Sequence, residues 1–339
     1  MDKLPGYGRS GRGRDPHQDS IWYPRIGCNM TNSIQGDSNT NVGNVSGSFN
    51  TTINLGVDEE PFRIKPWLSP LEPHRRHKYV RDHRVDGIGD WFLKRNEFES
   101  WVGSRGGSVN ATLLCYGGPG VGKTFIRYVR ILEKPWTTLK LTGNEISSLV
   151  IDTLGEQARG QNIAVLSLYC DYKERENQSA VNMIGCLLEQ VTWSAARIPS
   201  EIQSAFEDSK KGGGQGLRLP DMLGLFVKVI SSIECVYICV DALDELLPQD
   251  RSGFLRSLRQ IIQDAPNTRL FLTGRPHIRA ELEKHLMKGA HIDIVTDQDD
   301  IARYLSQKMD EDDDRGQELM TKSLKHDITK AIMKKASGT

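Results

Sequence analysis

Thr112-Leu113-Leu114-Cys115-Tyr116 runs without a break into Gly117-Gly118-Pro119-Gly120-Val121-Gly122-Lys123-Thr124, and Phe125 and Ile126 come next. The apolar run has the length of a short buried strand, and Gly117 to Thr124 form a complete G-x-x-x-x-G-K-T phosphate loop. In such a loop the glycines let backbone N–H groups curl around a β-phosphate. Lys123 brings a cation to the β- and γ-phosphates, and the Thr124 hydroxyl ligates Mg²⁺. A strand before the loop and helix-compatible residues after it are the context the motif requires, so Gly117 to Phe125 are the candidate nucleotide-binding residues.

Mg²⁺ is a hard cation and calls for an acidic residue at the end of a neighbouring apolar strand. Val236-Tyr237-Ile238-Cys239-Val240-Asp241 supplies it, which makes Asp241 and Thr124 the expected metal ligands. Three residues on come Asp244 and Glu245, and a carboxylate there can orient and deprotonate the water that attacks a γ-phosphate. A third strand, Arg269 to Thr273, ends in Gly274-Arg275-Pro276. It puts Thr273 and Arg275 on the carboxyl edge of the sheet, where ligands of doubly wound folds bind. Arg275 is a candidate sensor of the γ-phosphate, its alternative being a surface salt bridge. Asp171, after the run Ile163 to Cys170, reads better as a turn cap. Strands at Thr112–Tyr116, Ile163–Tyr169, Cys235–Val240, Arg269–Thr273 and Ile292–Val295 alternate with helical stretches. The expected fold class is therefore α/β, a P-loop NTPase with a parallel sheet flanked by helices. Cys235 and Cys239 lie in one such strand and read as core thiols, with no histidine at ligand spacing.

The chain of 339 residues carries 44 Lys plus Arg against 44 Asp plus Glu, so no net field steers it to nucleic acid or to an anionic membrane. Mean hydropathy is −0.47, and no apolar run approaches the roughly 18 residues that span a bilayer. Six scattered cysteines and the absence of an apolar leader in Met1 to Asp19 suggest a reducing, cytoplasmic setting, with the triplets at Asn29, Asn44, Asn50 and Asn110 unused for glycosylation. Residues 1–60 form a low-complexity tail too poor in large apolar side chains to order itself. Within it Val45, Gly47, Phe49, Thr51, Ile53 and Leu55 alternate with polar residues. That is either an amyloid-like self-assembling strand or a disordered leader with a fortuitous alternation. Residues 61–110 read as a linker, extended between Pro61 and Pro73, and then an amphipathic helical lead-in. Its basic cluster His74-Arg75-Arg76-His77-Lys78 reads as a solvated face.

Three features together resemble the NACHT family of signal-transducing P-loop NTPases (STAND class), in its large fungal, NOD-like receptor branch. They are the loop Gly117 to Thr124, Val240-Asp241-Ala242-Leu243-Asp244-Glu245, and Phe271-Leu272-Thr273-Gly274-Arg275-Pro276. The stretch Asp86 to Trp101, ending Phe98-Glu99-Ser100-Trp101, resembles the lead-in of that branch. The resemblance implies a switch in which ADP is held in a closed monomer and exchange for ATP leads to homo-oligomerisation. It makes Lys123 and Thr124 phosphate and Mg²⁺ contacts, Asp241 the Walker B acid, Glu245 the catalytic carboxylate and Arg275 the sensor. The residues leave ATP/ADP and GTP/GDP equally open, and no membrane or specific nucleic-acid partner is expected. Residues 111–296 are then the NTPase core, and 297–339 the helical start of a truncated next subdomain, with Asp310 to Asp314 in a solvated loop. The rival reading is a non-switching fragment that acts as an interaction or self-assembly module through its tail.

Residues 127–146 look foreign to this fold. The helix opened by Lys123 and Thr124 should run on as one amphipathic element, but Pro135 and the β-rich Trp136 to Thr142 interrupt it. Joining Ile126 to Ser147 restores apolar residues at helical spacing through Leu154. The segment is expected to be a translated intron or, alternatively, a genuine insertion of the kind surface loops tolerate.

Overall fold

The computed structural model describes residues 60–103, 111–117, 143–194, 198–214, 216–286, 289–295, 297–313 and 321–336. The alternating segment of the tail, residues 118–125 of the nucleotide-binding segment and most of 127–146 lie outside the described residues. Five strands make one parallel sheet in the order β2-β3-β4-β1-β5. They are β1 (Thr112–Gly117), β2 (Ile163–Tyr169), β3 (Cys235–Asp241), β4 (Thr268–Gly274) and β5 (Ala290–Ile294). The helices are α1 (Glu60–Leu68), α2 (Pro73–His83), α3 (Asp90–Leu93), α4 (Asn96–Gly103), α5 (Gly143–Gln157), α6 (Ala180–Ser194) and α7 (Ser200–Lys211). After them come α8 (Leu219–Ile230), α9 (Pro248–Asp264), α10 (Arg279–His285), α11 (Gln298–Asp313) and α12 (Lys322–Ala336). This is an α/β P-loop NTPase architecture, a parallel sheet flanked by helices.

Because successive strand residues point to opposite faces, a strand covered on both sides must be mostly apolar, and the central strands are, with Thr268, Arg269 and Thr273 the polar residues buried in β4. Leu114, Leu166, Ile238 and Leu270 join the core beneath α6, α8 and α9. Leu113, Cys115, Tyr237 and Phe271 face the other way, into a core with Phe92, Trp101, Val150 and Leu154. The last strand starts earlier than expected, at Ala290, and ends before Val295, whose side chain is exposed.

Three expectations need correction. The stretch from Pro61 is helical to Leu68, because Ile64 and Leu68 are buried in the main core and that burial outweighs the helix-breaking tendency of Pro66. The docking is close: a Cβ added at Gly185 of α6 would overlap the Leu68 carbonyl. Second, the basic cluster is not one solvated face. Arg75, Arg76 and Lys78 are exposed, but the His77 ring reaches inward to the Tyr169 hydroxyl (2.7 Å) and to Asp152 Oδ1 (3.0 Å). Arg84 pairs with the other Asp152 oxygen at 2.8 Å, so α2 is clamped to α5 and to the end of β2. Third, Asp310 to Asp313 belong to α11 rather than to a loop, and Asp310 pairs with Lys325 of α12 at 3.0 Å. Among the described residues no helix is long and apolar enough to cross a membrane.

Candidate functional site

The parallel registers decide which residues meet at the carboxyl edge. Tyr116 of β1 lies opposite Gly274 of β4, Gly117 opposite Ile294 of β5, and Tyr169 of β2 opposite Asp241 of β3. Gly117, from which the phosphate loop departs, therefore shares one rim of the sheet with Asp241, Thr273 and Gly274.

Asp241 is buried at this rim and held by two hydroxyls. Thr273 donates to its Oδ1 at 2.7 Å, and Ser147 of α5 donates to the same oxygen at 2.5 Å. Oδ2 is buried with no hydrogen-bond partner among the described residues. Burial pushes the carboxyl above its usual range, opposed by the two hydroxyl hydrogen bonds and by the charge of Arg76 on α2. Thr273 Oγ1 also accepts the Ala242 N–H at 2.9 Å. Ala242 has φ +56°, a left-handed conformation uncommon for a residue with a side chain, so the chain turns sharply straight after Asp241.

That turn leads into the short 3-10 helix Leu243–Glu245. Glu245 Oε2 accepts the Tyr172 N–H at 3.1 Å, from the loop after β2. Burial is the main cause that raises the Glu245 carboxyl, with Asp244, Asp171 and Asp241 adding to it and the Tyr172 hydrogen bond working against it. A carboxyl raised in this way is closer to the proton affinity a general base needs. Asp244 is occupied otherwise: its Oδ2 pairs with Arg275 Nε at 3.0 Å, and its Oδ1 accepts the Arg275 N–H at 3.1 Å. The arginine read from sequence as a phosphate sensor is thus drawn to Asp244, as in the salt-bridge alternative. Asp171 caps its own turn, accepting the Lys173 N–H at 2.9 Å.

The donor set fits Mg²⁺. A buried carboxylate oxygen without a partner is the hard ligand such an ion takes, with phosphate and water completing its shell. Buried Cys115, Cys170, Cys186 and Cys239 are free thiols, and burial raises each. No group of three or more His, Cys, Asp or Glu side chains that could hold a metal occurs among the described residues. Sequence reasoning found Asp241, Asp244, Glu245, Thr273 and Arg275. It missed Ser147, Arg76 and the Tyr172 N–H, whose nearness to the rim is tertiary and leaves no local pattern.

A family model described as "Nephrocystin 3, N-terminal" matches residues 87–132 and 145–275, more than half of the chain. The chain belongs to that family. The match spans β1 through Arg275, the last site residue, and omits residues 133–144. No curated protein matches the chain. Among solved structures it is similar to Cdc6p of Pyrobaculum aerophilum, with 15% identity and a TM-score of 0.39 over 71% of this chain and 52% of that one. It is also similar to the Orc1 protein of Aeropyrum pernix in complex with DNA, with 17% identity and a TM-score of 0.39 over 73% and 53%. A third is a Walker-type ATPase of Pyrococcus abyssi, at 14% and 0.42 over 74% and 64%. The chain spans about half the length of the first two.

Proposed function

We propose that the chain is a nucleotide-binding switch of the NACHT type, a slow NTPase whose output is homo-oligomerisation in an immunity-like or incompatibility-like response. The observation that carries this reading is the rim itself. Asp241, with one oxygen fixed by two hydroxyls and the other without a partner among the described residues, sits on the edge from which the loop Gly117 to Thr124 departs. Lys123 and the loop N–H groups would hold the phosphates, and Thr124 and Asp241 would hold Mg²⁺. When bound, that ion neutralises charge across the β- and γ-phosphates. Glu245, anchored by the Tyr172 N–H and raised by burial, is the group to orient and deprotonate the attacking water. Arg275, tied to Asp244 next to Asp241, would answer a change at the γ-phosphate by moving that carboxylate.

The test is to extract and identify whatever nucleotide the purified protein carries, then to titrate ADP, ATP, GDP and GTP in the presence of Mg²⁺. Bound ADP or GDP, with turnover slower than exchange, supports the switch. A folded protein that carries no nucleotide and binds none of the four contradicts it.

A further inference from the structure

The turn from Gly87 to Trp91 leads into α3, and both of its glycines have positive φ, +78° at Gly87 and +82° at Gly89. Two charged side chains of α11, three residues apart on one face of that helix, grip this turn. Asp300 Oδ2 accepts the Gly89 N–H at 3.0 Å and the Trp91 indole N–H at 3.1 Å, while Arg303 Nη1 donates to the Gly87 carbonyl at 3.0 Å. The approach is close, since a Cβ added at Gly87 would overlap the Arg303 guanidinium. On the other side of this grip, α11 and α12 have a core of their own. Ile301, Leu305 and Met309 cluster with Ile332, apart from both cores on the sheet. A hairpin that keeps its own apolar contacts and is tied on by hydrogen bonds can come away without unfolding.

The same turn bears on the rim. Gly89 backs onto α5, where a Cβ added to it would sit 3.4 Å from Leu149 Cδ2 and 3.5 Å from Ile146 Cγ1. Those two residues lie on either side of Ser147, whose hydroxyl donates to Asp241. An unbroken series of contacts therefore runs from Asp300 through Gly89 and α5 to the acid at the end of β3.

We propose that α11 and α12 form an arm latched to the lead-in, with Asp300 the positioning residue through which the arm seats turn 87–91 on α5 and so governs how firmly Ser147 holds Asp241. The chain then has a latched and a released state. The latch stands on its own geometry, and only its bearing on nucleotide rests on the reading above. By reciprocity, whatever binds at Asp241 favours the latched state.

Hydrogen exchange on the full chain, without nucleotide, compares the wild type with Asp300→Ala, Arg303→Ala and Asp300→Asn. Both alanine variants should speed exchange about 10-fold or more in peptides covering 87–92 and by a smaller factor in 146–150, with α11, α12 and the strands at wild-type rates. Asp300→Asn keeps an acceptor oxygen and should restore much of the protection. Unchanged exchange at 87–92 in both alanine variants overturns the latch. Faster exchange throughout α11 and α12, or in the strands, makes Asp300 a merely stabilising residue and overturns the arm. Loosening confined to 87–92 overturns the link to Asp241. The same proteins are then titrated with mant-ATP and mant-GTP, with Mg²⁺ and with EDTA. Asp300→Ala should weaken the Mg²⁺-dependent part of binding several-fold and leave binding in EDTA unchanged. Equal affinities in wild type and Asp300→Ala overturn the coupling and leave the nucleotide reading intact. A folded wild-type chain that binds neither nucleotide overturns that reading instead, and the exchange result still decides the latch.

Discussion

Thr273 serves two elements with one hydroxyl, donating to Asp241 and accepting from the strained turn residue Ala242. Thr273→Val should therefore leave the Ala242 N–H without its acceptor and Asp241 Oδ1 with Ser147 as its remaining hydroxyl donor, at a cost of about 1–3 kcal/mol in denaturant unfolding, whereas Thr273→Ser should cost much less. Glu245 and Asp244 are one residue apart but differently engaged, and their variants should separate. Glu245→Gln should keep nucleotide binding and slow hydrolysis by about 10² or more, the range of a positioned general base, in a single-turnover assay. Asp244→Asn should loosen Arg275 and alter turnover less; equal losses from both would assign the base to neither alone. That Asp241 would stand at the carboxyl end of a buried strand was legible because a lone acid after a buried apolar run is a local pattern. That Ser147 holds it was not, since the two are 94 positions apart and only the fold joins them.

The strands were the most legible elements: a parallel strand buried on both faces must be mostly apolar, and β1, β2, β3 and β4 are found within a residue or so of where that rule puts them, despite Ser167 in β2 and Arg269 in β4. The α1 helix was not legible, because its prolines speak for extended chain and its stability comes from α6. Gly185→Ala should force α1 away from α6 and cost about 1–3 kcal/mol, visible as a lowered melting midpoint. The same contact makes a pH prediction. Glu189 of α6 is buried, with Lys65 of α1 at 3.5 Å from one oxygen and no hydrogen-bond partner for the other among the described residues. Burial pushes its pKa up from 4.5 to about 7, the nearby Lys65 opposing. Between those values the native state binds more protons than the unfolded chain, so this group lowers stability as pH rises from 4.5 to 7. His74, lowered to about 4 chiefly by burial and then by Lys65 and His77, acts in the opposite sense between 4 and 6.5. Comparing unfolding of the wild-type chain and Glu189→Gln across that range isolates the first effect. The difference between the two should grow with pH, and a constant difference would refute the assignment.

At the scale of the molecule, two cores back to back on one sheet leave its carboxyl rim as the place where β1, β3 and β4 end together. The lead-in is tied to the far end of the chain across that assembly: Asp300 of α11 accepts the Gly89 N–H at 3.0 Å and the Trp91 indole N–H at 3.1 Å. The class of fold and the identity of the rim acids were legible in advance, because both are written in short contiguous stretches. Neither clamp was, Asp152 with His77 and Arg84 nor Asp300 with Gly89 and Trp91, because each pairs residues distant in sequence. Hydrogen exchange with and without saturating Mg²⁺-nucleotide tests the central claim that this rim is the nucleotide site. The account predicts slowed exchange in peptides covering 117–124, 147–150, 241–246 and 273–276, with the amino ends of the strands unchanged. Protection elsewhere with those four peptides unaffected, at nucleotide concentrations that saturate binding, would contradict it.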